Sequence, residues 1–337
     1  MFEKKSFTTP RFAMIGNGSW ATALVKLLQN HEDLLYWFVR DEKMIPHIQR
    51  YRHNPQFLRA ATLDPSRLEM TADINAAVEP ADVVVVCIPS AFLSEALTKL
   101  TVTLKNKFIV SAVKGIIPEG NLTVAEYFNR RHLVSFDNIG VLSGPSHAEE
   151  IALERLTYLT FACKRRDNAQ RLAAHFACHY VKTRVSTDIY GMEYAAILKN
   201  IYAIATGIAH SLGYGDNFLA VLVTNAQREM KRFLNDTRHS ASRDTTHSPY
   251  LGDLLVTCYS QFSRNRTFGA MIGKGYSVTS AQAEMNMIAE GYYASRCIFE
   301  INAAHKINMP IADAVYRILY ENASPENEMR ALTDEMI

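Results

Sequence analysis

The sequence predicts an α/β protein in two parts, with a doubly wound sheet in the first half and a mostly α-helical second half. Three observations predict it. Short apolar runs alternate with helix-periodic stretches through the first half. One run, Val83-Val84-Val85-Val86, is β-branched without alternation, as suits a strand covered on both faces. After about residue 188 the alternation stops and long helix-periodic segments take over. The length of 337 residues agrees, corresponding to roughly two domains of about 150 residues each.

The elements follow in order. Phe12 to Ile15 is a first apolar run, ending at Gly16, and Ser19 to Asn30 reads as a helix. Leu34 to Val39 and Val83 to Ile88 are the next strands, and Phe108 to Ala112 and Ile139 to Ser143 continue the series. Tyr158 to Cys163 and Thr183 to Ser186 read as edge strands. In the second half Tyr190 to Leu212, Phe218 to Leu234, Gln282 to His305 and Ala312 to Tyr320 carry helical periodicity. Between them, Asn235 to Ser248 is rich in Ser, Thr, Asp and His and reads as a loop, and the residues after Ser324 form a short amphipathic tail. Domains of residues 1–188 and 189–337 are expected.

Composition narrows the function classes. With 48% hydrophobic and 21% charged residues the chain is ordinary globular protein. A net charge of +2 argues against a nucleic-acid partner, so attraction for an anion must be local to a cleft. Five scattered cysteines, an odd number without a CxxC pair, fit a reducing compartment. No apolar h-region follows Met1-Phe2-Glu3-Lys4-Lys5-Ser6, so no signal peptide is expected. No uncharged apolar run reaches the ~20 residues of a membrane span; Tyr194 to Leu212 comes nearest but carries Lys199, Asn200 and His210. A cytoplasmic location is the expectation.

The first strand runs into Gly16-Asn17-Gly18-Ser19-Trp20-Ala21, which matches G-x-G-x-x-G/A. Gly16 permits the tight turn, Gly18 lets backbone approach a pyrophosphate, and Ala21 keeps the helix close to the strand. The helix that opens there offers free N–H groups to phosphates. This makes the sheet Rossmann-like, with a nicotinamide dinucleotide as the expected cofactor. The second strand ends at Val39-Arg40-Asp41. An acid there suits the ribose 2′-OH of NAD, and an arginine suits the 2′-phosphate of NADP. Arg40 tips the balance slightly towards NADP, with a solvated surface pair as the plain alternative.

Four further motifs stand out: Ser111-Ala112-Val113-Lys114-Gly115-Ile116 and Ser143-Gly144-Pro145-Ser146-His147-Ala148-Glu149-Glu150, each after a predicted strand; Leu198-Lys199-Asn200 in a long helix; and Gly252-Asp253-Leu254 followed by Ser263-Arg264-Asn265-Arg266. With Gly207 to Asn217, Ser263 to Gly275 and Glu290-Gly291-Tyr292, they resemble the bacterial NAD(P)-dependent glycerol-3-phosphate dehydrogenases from about Phe12 to Tyr320. The resemblance implies interconversion of dihydroxyacetone phosphate and sn-glycerol 3-phosphate, feeding phospholipid synthesis.

It also implies roles. Lys199 corresponds to the catalytic lysine, and acid and base work by a lysine needs burial and cationic neighbours to lower its pKa. Lys114, Gly144, Ser146, Lys199, Asp253, Ser263, Arg264 and Asn265 correspond to substrate-binding positions. Asp253 would accept from a substrate hydroxyl or orient Lys199, although alone it reads equally as a helix N-cap. An arginine fork, an amide and a hydroxyl suit a phosphate dianion. Gly16, Gly18, Ser19, Trp20, Arg40, Lys114, Ala148, Arg264, Ile288 and Glu290 are the cofactor-side positions. No metal is required, since lysines can polarise a carbonyl. A homodimer is the mild preference.

The chain departs from the family in places. Pro249-Tyr250-Leu251-Gly252-Asp253 stands where many members read Ala-Gly-Leu-Gly-Asp, the preceding Thr237 to Ser248 is unusually polar, and Leu153 to Thr157 replaces a Gly-Leu-Pro-Thr-like segment. His175 and His179, four apart, could share a helix face as metal ligands, but nothing in the sequence completes such a site and they read as surface. His147 lies within a motif and receives no catalytic role. Lys164-Arg165-Arg166 reads as a solvated charge run. Two rival readings are a hydroxy-acid dehydrogenase of the same architecture and a non-catalytic dinucleotide sensor.

Overall fold

A computed structural model describes residues 10 to 285 and 287 to 336. The N-terminal segment Met1 to Ser6, on which the signal-peptide expectation rests, lies outside the described residues. Among the described residues eight strands form one sheet: β1 (Phe12–Ile15), β2 (Leu35–Phe38), β3 (Leu68–Thr71), β4 (Val83–Val86), β5 (Phe108–Ser111), β6 (Ile139–Ser143), β7 (Thr157–Cys163) and β8 (Val181–Ser186). Between them run α1 (Ser19–Leu28), α2 (Met44–Tyr51), α3 (Ile74–Val78), α4 (Ser90–Ala96), α5 (Val124–His132), α6 (Ala148–Ala152) and α7 (Arg166–Phe176). The second half holds α8 (Ile189–Ser211), α9 (Asp216–Thr237), α10 (Asp253–Tyr259), α11 (Arg264–Gly273), α12 (Val278–Glu284), α13 (Glu290–His305), α14 (Pro310–Tyr320) and α15 (Pro325–Glu335).

The strand order is β3-β2-β1-β4-β5-β6-β7-β8. All pairings are parallel except β6 with β7. Chain direction across the sheet reverses between β1 and β4, the switch point where dinucleotides bind in open sheets. The valines of β4 explain the non-alternating run: Val84 and Val86 face one core and Val83 and Val85 the other, all nearly inaccessible. The first core continues without a break from the sheet into α8, α9, α13 and α14.

The structure corrects three expectations and adds a strand. Tyr158 to Cys163 is not an edge: β7 lies between β6 and β8, and β8 is the edge. The opposite edge is β3, which the sequence did not reveal because only Leu68 of its four residues is buried. Gln282 to His305 is not one helix: Met285 and Ala289 are extended, separating α12 from α13. His175 and His179 do not share a helix face, because α7 ends at Phe176; His175 instead meets Glu32 at 2.6 Å. No helix among the described residues is long and apolar enough to cross a membrane.

Candidate active site

The dinucleotide loop is built at the switch point. Gly16 has φ +125°, where L side chains are strained, and a Cβ there would strike the carbonyl of Cys87 at the end of β4. The indole Nε1 of Trp37 donates to Gly16 O at 2.7 Å. The amide of Asn54 donates to Asn17 O at 2.9 Å and to Thr22 Oγ1 at 2.8 Å. Gly18 is the N-cap of α1, no side chain caps that helix, and a Cβ at Gly18 would meet open space. The first turn of α1 therefore keeps donors for an anion in front of a cradle bounded by backbone, which fits a pyrophosphate.

The other cofactor-side residues flank that cradle. Arg40 is exposed just beyond β2, and Asp41 beside it accepts from Gln56 at 3.3 Å. Ser19 reaches Met287 Sδ at 3.8 Å, and Arg264 reaches the same sulfur at 3.7 Å. Met287 thus bridges the first residue of α1 and the first residue of α11, and Ile288 beside it is half-buried. Glu290, at the first turn of α13, accepts from Ser90 N at 2.9 Å and from Ser90 Oγ at 2.5 Å. Burial pushes its carboxyl up, against the pull of Ser90 and Arg264. Ala148 opens α6, two residues after Ser146, whose hydroxyl Lys114 reaches.

Lys114 joins the two sides. Its ammonium lies 5.2 Å from the centre of the Trp20 ring. It donates to Gly144 O and to Ser146 Oγ, each at 3.2 Å, and lies 3.7 Å from Asp253 Oδ2. Gly144 has φ +126°, and a Cβ there would press on the carbonyl of Tyr158, so the turn after β6 needs glycine. Lys199 Nζ meets Asp253 Oδ1 at 2.5 Å, with both side chains almost fully buried. Asp253 is the first residue of α10 and makes no N-cap bond, so the plain capping alternative falls away.

Polar partners tie the cluster together. Ser143 Oγ donates to Asp253 Oδ2 at 3.4 Å. Asn200 donates to Lys114 O at 2.7 Å and accepts from Asn265 Nδ2 at 2.9 Å, while Asn265 Oδ1 accepts from Gly291 N at 2.8 Å. Ser263 caps α11 through Arg266 N, leaving Arg264 exposed at its first turn. Sequence reasoning quoted Ser143 and Asn200 inside motifs but gave them no role, and it missed Ser90; adjacency to Lys199 was the signal for Asn200.

The electrostatics follow from burial. Burial lowers the Lys199 pKa, and Lys114 lowers it further; Asp253 opposes both, and the result is about 7. Burial works against ionisation of Asp253, but Lys114 and Lys199 outweigh it and hold the carboxyl below its ordinary range. Burial, Lys114 and Lys199 push His147 down to about 4, so its imidazole is neutral at neutral pH. The arrangement can hold or release one proton near neutrality, beside a second cation and an exposed arginine.

Comparison with known proteins agrees with this geometry. Residues 11–169 match the family model described as NAD-dependent glycerol-3-phosphate dehydrogenase N-terminus, and residues 188–330 match the corresponding C-terminus. A glycerol-3-phosphate dehydrogenase [NAD(P)+] of Salinibacter ruber is 35% identical over 327 residues, covering 96% of this chain and 93% of the relative. One from Syntrophomonas wolfei is 34% identical over 325 residues, covering 95% and 93%. The crystal structure of glycerol-3-phosphate dehydrogenase from Coxiella burnetii superposes with a TM-score of 0.87 at 27% identity, covering 96% of this chain and 99% of that one. The chain belongs to the NAD-dependent glycerol-3-phosphate dehydrogenase family.

Proposed function

We propose that this protein reduces dihydroxyacetone phosphate to sn-glycerol 3-phosphate, reversibly, with NADH or NADPH. The observation that carries the reading is the Lys199–Asp253–Lys114 cluster, whose Lys114 lies over the Trp20 ring of the dinucleotide loop while Asn200, next to Lys199, bonds Asn265, next to Arg264. NAD(P)H, when bound, supplies the hydride. Lys199 Nζ gives a proton to the carbonyl oxygen in reduction and takes one from the hydroxyl in oxidation. Lys114 polarises the same oxygen as charge develops on it. Asp253 fixes the direction of both ammonium groups. Ser146 and the backbone at Gly144 line the substrate, and the first turn of α11, Arg264 and the remaining amide proton of Asn265 receive the phosphate. Gly16, Gly18, Ser19, Trp20, Ala148, Ile288 and Glu290 form the dinucleotide side.

The exposed guanidinium of Arg40 favours NADP slightly, since Asp41 already engages Gln56. Five cysteines without a disulfide are compatible with the reducing cytoplasm. A homodimer, a functional division near residue 188 and a supply role for phospholipid synthesis complete the reading.

The test is loss of nicotinamide absorbance with dihydroxyacetone phosphate, using NADH and NADPH in parallel. Oxidation of either is expected, and the ratio of rates reports the role of Arg40. Cofactor binding without turnover of this substrate would overturn the reading; turnover only of a 2-keto or 3-keto carboxylate would replace it with a hydroxy-acid dehydrogenase.

A further inference from the structure

The segment from residue 238 to 252, which joins α9 to Asp253, is polar enough to suggest a solvated loop. Its central arginine is nevertheless buried: the Arg243 side chain is 2% exposed. Arg243 Nε donates to Asp188 Oδ2 at 2.6 Å and Nη2 to Oδ1 at 3.0 Å, a forked pair. Nη1 donates to the carbonyls of Leu234 at 2.9 Å and Arg238 at 2.7 Å. The hydroxyl of Tyr250, a buried residue, donates to Asp188 Oδ2 at 2.7 Å. Asp188 in turn is the N-cap of α8, accepting from Gly191 N at 3.0 Å. A Cβ at Gly191 would overlap both the Asp188 carboxylate and Arg243, so the cluster fills space that a glycine leaves free. Gln227 adds a bond to Thr245 O at 2.5 Å, and Arg238 one to Glu126 at 3.0 Å.

The consequence lies at the end of the segment. Tyr250 sits in a π-helical turn, Ser248–Gly252, which runs directly into α10, and Asp253 is the next residue. The other end of the active-site pair, Lys199, is carried by α8, the helix that Asp188 caps. One carboxylate therefore anchors both the helix that bears Lys199 and the strap that delivers Asp253. We propose that Arg243 and Tyr250 are positioning residues, which clamp the strap to the α8 N-cap and so hold Asp253 against Lys199 and Lys114. The inference rests on the dehydrogenase reading for its kinetic consequence, though not for the clamp itself.

The groups that face Lys199 set the sign of its pH effect. They are Asp253 and Cys258 from α10, Lys114 from the loop after β5 and His147 from the loop after β6. Of these, Asp253 raises the proton affinity of Lys199 and Lys114 lowers it. Slackening the strap weakens the raising influence, so Lys199 gives up its proton at lower pH.

The experiment compares wild type with Tyr250→Phe, which removes one hydroxyl, and Arg243→Lys, which keeps the charge and loses the fork. Hydrogen exchange is read over residues 248–259, and dinucleotide affinity, kcat and the pH profile of dihydroxyacetone phosphate reduction are measured. Exchange in that segment is expected to rise about tenfold, with α1 unchanged within about twofold. Turnover is expected to fall about tenfold while dinucleotide affinity stays within about twofold, and the alkaline limb of the profile moves to lower pH. Unchanged exchange in both variants overturns the clamp, whatever the enzyme turns over. Raised exchange with wild-type kcat and an unmoved pH profile overturns the positioning role. If Arg243→Lys does not fold, Tyr250→Phe decides alone. A wild type inactive on dihydroxyacetone phosphate refutes the proposed reaction, and the exchange result still decides the clamp.

Discussion

A buried lysine is costly unless its charge is paired, and Lys199 has Asp253 at 2.5 Å while Lys114 stands close behind. The pairing keeps the ammonium in place, and burial with the second cation brings its pKa to about 7. Replacing Lys199 with alanine should lower kcat about a thousandfold and leave dinucleotide affinity, read from quenching of tryptophan fluorescence, within about twofold. The sign of the pH dependence follows. Reduction needs the protonated amine, so kcat/KM for dihydroxyacetone phosphate declines as pH rises through about 7. Oxidation needs the free amine, so kcat/KM for glycerol 3-phosphate rises over the same range. A reduction profile that stays flat from about pH 6 to about 9 would remove Lys199 as the acid. At this scale the sequence was informative where a motif carries the chemistry within itself: Lys114, Gly144, Ser146, Lys199 and Asp253 were all named, and the fold brings them together. It quoted Ser143 and Asn200 but gave them no role, because their partners lie on distant segments that only folding brings near.

Helix α8 reaches the site because α11 crosses it at backbone contact. A Cβ on Gly207 would strike Arg266 O, and one on Gly269 would strike Ile204 O, so the pair of glycines fixes how closely the phosphate-side helix approaches Lys199 and Asn200. Gly269→Ala should therefore destabilise the protein by about 1–3 kcal/mol, seen as a lower Tm. It should also raise KM for dihydroxyacetone phosphate more than KM for the dinucleotide, since α11 moves and α1 does not. Equal changes in both constants would mean that the crossing does not set the substrate side. Seven of the strands and the long helices were legible from period, the long runs best: β4, β6, α8 and α14 fall within a few residues of expectation, while the shorter helices α2 to α7 were not read. The failures have physical causes. The short edge strand β3 buries one side chain, too little to leave a pattern. The apolar rhythm from Gln282 to His305 continues across a break, because Met285 and Ala289, outside both helices, still pack against the common core. The polar strap before α10 read as a loop because its one buried cation finds its carboxylate on another element.

Across the whole molecule, sheet and helical half share one core, and a buried carboxyl sits where they join. Glu193, on α8, is 4% exposed; its Oε1 accepts from Ala125 N of α5 at 2.9 Å, and its Oε2 has no hydrogen-bond partner among the described residues. Burial pushes its pKa up to about 7; the hydrogen bond from Ala125 N opposes that rise, and Glu126 adds to it. The folded chain therefore holds a proton between about pH 4.5 and about 7 that the unfolded chain releases. The native state binds more protons in that window, so stability falls as pH rises through it, by on the order of 3 kcal/mol from this group. The acids held below their ordinary range, Asp188 and Asp253, contribute the opposite slope only at lower pH. Glu229, buried against the first turn of α14 and also raised to about 7, adds a second contribution of the same sign. His147, lowered to about 4, and Lys199, lowered to about 7, bind fewer protons folded than unfolded within this range and give the opposite slope, so wild type should melt only slightly lower at about pH 8 than at about pH 5.5. Glu193→Gln, which keeps one acceptor for Ala125 N and cannot ionise, should lose less Tm than wild type over the same interval, because the contribution of this one carboxyl is gone. If the two proteins lose Tm in parallel, the Glu193 carboxyl does not carry its proton into the folded state, and the join between sheet and helices has some other source of pH dependence.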